Sequence, residues 1–240
     1  MESTRLSRLF AAAHRIRREP LILIVLLLIA GALWAFAEIA DEVGEAGSFP
    51  FDEAVLLAMR TPGDPSDPLG PRWVEEIGRD LTALGGMAIL SMITAAAAGY
   101  LVLQGKKRAA LLVIVAAGGG MVLSTALKYG FDRPRPELVP HGSYVYTASF
   151  PSGHSMLSAV TYLTLGALLA RVHPRRRMKV YFLTLAAVLA VLVGISRVYL
   201  GVHWPTDVLA GWSVGAAWAL SVWLVALWLQ RHHEIEGSAE

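Results

Sequence analysis

The chain has 240 residues, of which 55% are hydrophobic and 17% charged, with no cysteine and a formal net charge of +2. A soluble domain usually carries about 25% charged residues, so this composition favours a membrane protein. It excludes a disordered chain, a disulfide scaffold, collagen and a coiled coil, and the absence of cysteine excludes thiol catalysis and thiolate metal sites. Nearly all the charge lies between six long uncharged runs, which predicts a single polytopic membrane domain over residues 1–240.

The six uncharged runs are the predicted membrane spans. They cover residues 21–37, 81–105, 109–127, 155–170, 180–196 and 208–230. A helix needs roughly 20 apolar residues to cross the hydrocarbon, with about 17 as the practical minimum, so the two shortest runs, 155–170 and 180–196, must extend into their flanks. Backbone polar groups in lipid have to be paired within their own segment, which leaves helices. We therefore predict an all-α fold with six transmembrane helices in one bundle.

The distribution of basic residues predicts how the bundle is oriented. Fourteen of the 21 Lys and Arg residues lie in residues 1–20, 106–108 and 171–179 and at Arg231. Cytoplasmic loops carry such an excess, whereas the segment 38–80 on the opposite side has eleven acidic residues and three arginines. Both termini are therefore predicted to be cytoplasmic. We expect a multi-pass protein of the cell (inner) membrane, whose opposite face is periplasmic or extracellular.

Two segments outside the spans have patterns of their own. Residues 1–20 place apolar residues at helical spacing among five arginines, which predicts an amphipathic helix on the cytoplasmic leaflet. Residues 35–37, Ala-Phe-Ala, also suit a cleaved signal peptide, but the apolar run and the basic stretch before it are both long, so an uncleaved first helix is favoured. In the outward segment 38–80, residues 51–60 predict a short interfacial helix, and the Pro- and Gly-rich residues 61–71 predict a loop.

Three polar clusters lie on the predicted outward side, each at the end of a span. They have the patterns K-x6-R-P, P-S-G-H and S-R-x5-H-x3-D and comprise Lys128, Arg135, Pro136, Pro151, Ser152, Gly153, His154, Ser196, Arg197, His203 and Asp207. These eleven positions, in this order, resemble the three-part signature of the type 2 phosphatidic acid phosphatase family, also called lipid phosphate phosphatases. The resemblance covers residues 128–207, and the six-span layout extends it over most of the chain, whereas residues 1–80 match in layout alone.

The resemblance implies catalytic roles for three residues. In the family, the histidine matching His203 attacks phosphorus and forms a phosphohistidine. That step needs a neutral imidazole whose other nitrogen is pinned by a carboxylate, and Asp207 is the candidate. The histidine matching His154 protonates the leaving oxygen as a general acid. If a helix begins near Pro205, a favoured first helical position, Asp207 lies in its first turn, just beyond His203.

The same resemblance implies that five residues bind the phosphate. Lys128, Arg135 and Arg197 would neutralise its oxygens as charge builds, the arginines through planar bidentate contacts. Ser152 and the Gly153 amide lie where the fourth helix starts, and the free N–H groups at a helix start favour an anion. The mechanism implied by the resemblance uses no metal and no cofactor.

The remaining charged residues are assigned to no site. Asp132 and Arg133 lie between signature positions, and we interpret them as a local ion pair or loop charge. Asp41, Glu42 and Glu45 have no histidine partner at metal-ligand spacing. The sequence has no zinc-protease, P-loop or dinucleotide-binding motif. The basic clusters face the predicted cytoplasmic leaflet, where anionic lipid explains them better than nucleic acid does.

The leading interpretation is a membrane phosphatase that acts on a lipid phosphate or diphosphate from the outer side. A phosphotransferase that passes the same phosphohistidine phosphoryl group to another acceptor shares the signature and stays open. The vanadium haloperoxidases also resemble this signature but are soluble, so six spans argue against them, and a non-enzymatic membrane protein is disfavoured by the intact motif. Undecaprenyl diphosphate, phosphatidylglycerol phosphate, phosphatidate and a lipid A phosphate are all candidate substrates, and the oligomeric state is not predicted.

Overall fold

The computed structural model describes the backbone of residues 2–46, 49–143 and 147–236 and the side chains of residues 20–45, 49–143 and 147–228. The described elements are α1 (Glu2–Ala46), α2 (Pro50–Ala58), β1 (Arg60–Thr61), β2 (Asp64–Pro68), α3 (Arg72–Ala83), α4 (Met87–Leu103), α5 (Lys107–Gly130), α6 (Gly153–Val172), α7 (Arg176–Tyr199) and α8 (Pro205–Glu236). The predicted helical membrane fold is confirmed, with one short antiparallel strand pair in addition.

The helices account for the six predicted runs. Pro20–Glu45 within α1, the whole of α5, α6 and α7, and Pro205–Trp228 within α8 are each long and apolar enough to cross a membrane. The run 81–105 is divided between α3 and α4, which meet at a bend of 49°, and the bent pair counted as one span is the sixth. The two short runs extend into their flanks as predicted, giving helices of 20 and 24 residues.

The bend between α3 and α4 falls on two adjacent glycines. A Cβ on Gly85 would lie 2.3 Å from Cγ1 of Val193 and 3.2 Å from the carbonyl oxygen of His154, so only glycine fits there. Gly86 has extended backbone angles and is the N-cap of α4. The prediction of one continuous helix over residues 81–105 is therefore wrong, because the chain breaks where it passes close to the start of α6.

The most buried helix of the bundle is α6. Within its span 61% of the residues are buried, compared with 6% in the span of α1, and it packs against α5, α7 and α8. The contact with α8 is close because two glycines face it. A Cβ on Gly211 would lie 2.6 Å from the Ser152 carbonyl oxygen, and one on Gly215 would lie 2.5 Å from that of Met156. Helix α8 therefore fixes the position of the first turns of α6.

The segment 38–80, which is predicted to face outward, is more regular than expected. The short helix is confirmed as α2, but residues 61–71, expected as a loop, contribute to the hairpin of β1 and β2, whose turn contains Gly63 at a φ of +87°. Helix α2 packs against α8, and its Asp52 and Leu56 are buried. It is therefore packed onto the bundle on one face.

The predicted amphipathic segment, residues 1–20, is helical from Glu2 onward and continues directly into the first span. Its side chains up to residue 19 lie outside the described residues. Its location on the cytoplasmic leaflet therefore stays a prediction.

Candidate active site

The three sequence clusters meet at one end of the helix bundle. Consecutive spans run in opposite directions, so the last turns of α5 and α7 lie at the same end as the first turns of α6 and α8. The structure gathers there all eight predicted site residues: Lys128, Arg135, Ser152, Gly153, His154, Arg197, His203 and Asp207.

His203 lies in the turn between α7 and α8. This turn depends on Gly201, which has a φ of +71° and whose Cβ would lie 2.6 Å from Cγ2 of Val139. Pro205 begins α8 as predicted, so Asp207 falls in the first turn of that helix. The Nδ1 atom of His203 lies 3.3 Å from Oδ2 of Asp207, and the histidine is only 2% exposed.

The neighbours of His203 determine which ring nitrogen carries the proton. A carboxylate only accepts hydrogen bonds, so Nδ1 beside Asp207 is the donor. A guanidinium only donates, so Nε2, which lies 3.2 Å from Nη1 of Arg135, is the acceptor. The neutral ring is therefore the Nδ1–H tautomer, and the lone pair of Nε2 faces the cationic side of the site.

Burial also keeps the His203 ring neutral. Desolvation lowers the pKa of His203 to about 3, although the hydrogen bond and the charge of Asp207 act in the opposite direction. Water is excluded from the ring, so the charged imidazolium is disfavoured more than Asp207 alone can compensate. At neutral pH the site therefore holds an unprotonated nitrogen base, as a histidine nucleophile requires.

Three cationic side chains are held in place by neutral groups. Lys128 Nζ donates to the carbonyl oxygen of Ala148 at 2.8 Å. Arg135 Nε donates to the carbonyl oxygen of Thr147 at 3.0 Å. Arg197 Nη1 donates to Oγ1 of Thr82 at 2.8 Å, and its buried Nε has no hydrogen-bond partner among the described residues. Such an arrangement suits a phosphate dianion. Across the described part of the chain, no three His, Asp or Glu side chains are arranged to hold a metal ion.

The start of α6 forms another part of the site. Ser152 is the N-cap, and its hydroxyl accepts a 2.9 Å hydrogen bond from the hydroxyl of Ser155, which leaves the Ser152 proton available to a ligand oxygen. The Ser152 amide donates to the carbonyl oxygen of Asp207 at 3.0 Å, which ties the cap to α8. Gly153 begins the helix, and His154, in its first turn, interacts electrostatically with the cationic residues and with His203.

Arg133 is not among the predicted site residues, yet it is buried beside Asp207. Its guanidinium donates to Oδ1 of Asp207 at 2.6 Å and to Oδ2 of Asp52 at 2.7 Å, with the side chain 1% exposed. The interpretation of Asp132 and Arg133 as a local ion pair or loop charge is wrong for Arg133, because its acidic partners lie 74 and 81 residues away in the sequence.

Sequence reasoning missed three further residues of this network. Ser149 Oγ donates to Oδ2 of Asp207 at 2.5 Å, and Thr206 donates to Asp52 through its amide at 2.9 Å and its hydroxyl at 2.6 Å. One sequence signal could have indicated Asp52. It lies four residues before Leu56 and so shares a face of the short helix with an apolar residue, an unusual position for a carboxylate in a helix at the membrane surface.

Known proteins are similar to this chain in sequence. Residues 109–231, which include all eight predicted site residues, match the PAP2 superfamily. Phosphatidylglycerophosphatase B of Bacillus subtilis (strain 168) is 38% identical over 148 residues, which are 60% of this chain and 70% of that protein. An undecaprenyl-diphosphatase of Sulfolobus acidocaldarius is 35% identical over 101 residues, which are 40% of this chain and 45% of that protein.

A solved structure has a similar fold. The crystal structure of a transmembrane PAP2-type phosphatidylglycerolphosphate phosphatase from Bacillus subtilis aligns with a TM-score of 0.71 and 31% sequence identity, covering 81% of this chain and 93% of that one. The similarity therefore extends well beyond the signature and includes most of the helical bundle.

Proposed function

Because the chain belongs to the PAP2 superfamily, whose membrane members hydrolyse lipid phosphates, we propose that it dephosphorylates a lipid phosphate or diphosphate through a phosphohistidine at His203. The observation that carries this proposal is the orientation of the His203 ring. Its Nδ1 is hydrogen-bonded to Asp207, and its unprotonated Nε2 faces Arg135.

In the first step Nε2 of His203 attacks phosphorus while the bond from phosphorus to the leaving oxygen breaks. The ring becomes positively charged, and the Asp207 carboxylate stabilises that charge through Nδ1–H. Lys128, Arg135 and Arg197 neutralise the phosphoryl oxygens as charge develops on them. Phosphoryl transfer needs mainly such positioning and positive charge, so these groups account for most of the expected catalysis.

Proton transfer is the role we assign to His154. In its protonated form it donates to the leaving oxygen in the first step, and the lipid alcohol or lipid monophosphate departs. In the second step the neutral His154 takes a proton from a water molecule, which attacks phosphorus and breaks the bond to Nε2 of His203. Inorganic phosphate leaves, and both histidines return to their starting protonation states.

The surroundings of the site support a substrate with hydrocarbon tails. An apolar groove of about 560 Å³ runs between α4, α5 and α6, from Met87 at the site end to Val102. Met87, at the end of the groove nearest the site, lies two residues after Gly85 in the sequence, and the backbone of Gly85 lies against His154. A lipid can therefore keep its tails at the level of the spans while its phosphate reaches His203. Each methylene so buried contributes roughly 0.8 kcal/mol.

The charge distribution supports a site on the outer face of the membrane. Because the basic residues concentrate at the opposite end of the bundle, we assign the site to the outer, periplasmic face and both termini to the cytoplasm. Phosphatidylglycerol phosphate and undecaprenyl diphosphate are the first substrates to test, since similar proteins are named for them. Phosphatidate and a lipid A phosphate complete the panel.

The test is phosphate release by the purified protein in mixed micelles. We expect turnover of at least one of the four lipids at controlled surface concentration, much slower turnover of a water-soluble phosphate ester, and none for His203→Ala. Equal efficiency on lipids and on soluble esters would contradict a lipid substrate, and full activity of His203→Ala would contradict the histidine mechanism.

A further inference from the structure

We infer that Arg133 and Asp52 are positioning residues for the nucleophile: the Arg133 guanidinium bridges Asp52 on α2 and Asp207 on α8 and so holds the carboxylate that orients His203. The bridging distances are 2.7 Å and 2.6 Å, and all three side chains are at most 1% exposed. This inference rests on the proposed function, in which His203 is the nucleophile.

The two oxygens of Asp207 have separate tasks. Oδ2 lies beside Nδ1 of His203 and also accepts from the Ser149 hydroxyl and the Trp204 amide, at 2.5 Å and 2.9 Å. Oδ1 accepts from Arg133. With both oxygens engaged, the carboxylate cannot rotate about its axis, so Oδ2 stays directed at the ring. Arg133 thus acts on Nε2 of His203 only through Asp207.

Asp52 contributes a second negative charge to the buried network around Arg133. Buried charges are costly unless they are paired and hydrogen-bonded. One guanidinium between two carboxylates leaves a net charge of −1, which is the charge that a phosphorylated, cationic His203 ring compensates. Asp52 also accepts from the amide and the hydroxyl of Thr206, next to the start of α8. It therefore fixes both the guanidinium and the helix turn that carries Asp207.

The consequence is that α2 belongs to the catalytic apparatus. Its sequence lies outside the residues 109–231 that match the superfamily, yet its buried carboxylate is connected to the His203 ring by three successive contacts, through Arg133 and Asp207. A change on α2 that withdraws Asp52 should therefore alter the chemical step without touching the phosphate-binding cations. This separates positioning of the nucleophile from binding of the substrate.

The test compares Asp52→Asn with Asp132→Asn, which removes the exposed carboxylate adjacent to Arg133 in the sequence. Displacing a reacting group by about 1 Å can lower a rate by about 10²-fold. We expect kcat of Asp52→Asn to fall by about that factor with KM little changed, and Asp132→Asn to match the wild type. The kcat of Arg133→Gln should fall by a similar factor, and Arg133→Lys should retain more of the wild-type kcat than Arg133→Gln does.

A second readout does not depend on substrate. In proton NMR of the ring-labelled protein, the Nδ1–H resonance of His203 should shift in Asp52→Asn and stay unchanged in Asp132→Asn. If folded Asp52→Asn keeps the wild-type kcat and the wild-type resonance, and loses only thermal stability, Asp52 is merely structural and the inference is wrong. If the wild-type chain cleaves no lipid phosphate, the proposed function fails, and the NMR comparison alone decides the inference.

Discussion

The reactivity assigned to His203 arises from its immediate neighbours. Asp207 holds the proton on Nδ1, Arg135 leaves the lone pair on Nε2, and burial disfavours the charged ring. Each effect acts on a different property of the same imidazole: its tautomer, its orientation or its protonation. The histidine therefore needs no separate base to remove a proton before it attacks phosphorus.

The first prediction concerns the titration of His203. Burial lowers its pKa to about 3, so we expect a neutral ring from pH 8 down to about pH 4 and protonation only below that. Because the pKa in the folded chain is below the ordinary 6.5, this group favours folding at neutral pH and loses that contribution as the pH falls from 6.5 toward 3. Ring-labelled NMR measures the titration directly, and a midpoint near 6.5 would contradict the assignment.

At the residue scale, the sequence was most informative for residues that belong to short motifs with fixed spacing. The three clusters predict His203, Asp207 and the cations as site residues because the signature fixes the spacings between them. Asp52 and Arg133 could not be paired in the same way, since 81 residues separate them and only the packing of α2 on α8 brings them together. Tertiary contacts between single polar residues leave no periodic pattern in a sequence.

At the scale of the helices, apolar length predicted the spans well but could not predict their interruptions. The run 81–105 is uncharged throughout, so hydropathy gives one helix. The break depends on what lies opposite Gly85, namely Val193 and the backbone of His154, and that is decided by helix packing. The hairpin after α2 was missed for a related reason, because Pro and Gly in residues 61–71 suit a loop equally well.

The close contact of α6 with α8 gives the second prediction. A Cβ on Gly211 would lie 2.6 Å from the carbonyl oxygen of Ser152, so Gly211→Ala must displace the N-cap of α6. Overpacking of this kind costs about 1–3 kcal/mol, and we expect a lower melting temperature and reduced activity. The control is Gly118→Ala, where a Cβ meets nothing within 4 Å. Equal melting temperatures for the two variants would contradict the packing argument.

The third prediction concerns the groove between α4, α5 and α6. Gly99 and Gly118 line it, and a Cβ on either meets nothing within 4 Å, so leucine can enter the groove without a clash at Cβ. We expect Gly99→Leu or Gly118→Leu to lower kcat/KM for long-chain lipids by about tenfold, equivalent to about two displaced methylenes. Activity on a soluble ester should be unaffected.

Gly31→Leu is the matched control for the groove, because Gly31 is equally open and lies on α1, outside the residues that line it. It should leave lipid turnover unchanged. If the groove variants behave like this control, the tails lie elsewhere on the bundle.

For the whole molecule, the fourth prediction is the orientation in the membrane. The concentration of 14 of the 21 basic residues at the end opposite the site predicts a cytoplasmic C-terminus and an outward segment 38–80. An alkaline phosphatase fused at the C-terminus should be inactive, and one inserted at residues 62–63 of the hairpin turn should be active. The reverse pattern would assign the site to the cytoplasmic face.

In the proposed mechanism the whole architecture serves one chemical event, the transfer of a phosphoryl group to His203. Four helix ends, the His203 turn and α2 all converge on it, while the apolar spans below suit a lipid substrate. The bundle geometry and the class of chemistry were predictable from the sequence, whereas the link from α2 to the nucleophile required the folded structure. The central claim is therefore the covalent intermediate itself.

That claim is tested most directly by trapping the intermediate with a radiolabelled lipid phosphate. After a rapid alkaline quench we expect a phosphoprotein that is stable in base and labile in acid, with the label on His203 by mass spectrometry. His173→Ala, on the opposite end of the bundle, should trap as the wild type does, and His203→Ala should trap nothing. Label on another residue, or steady turnover by His203→Ala, would contradict the mechanism.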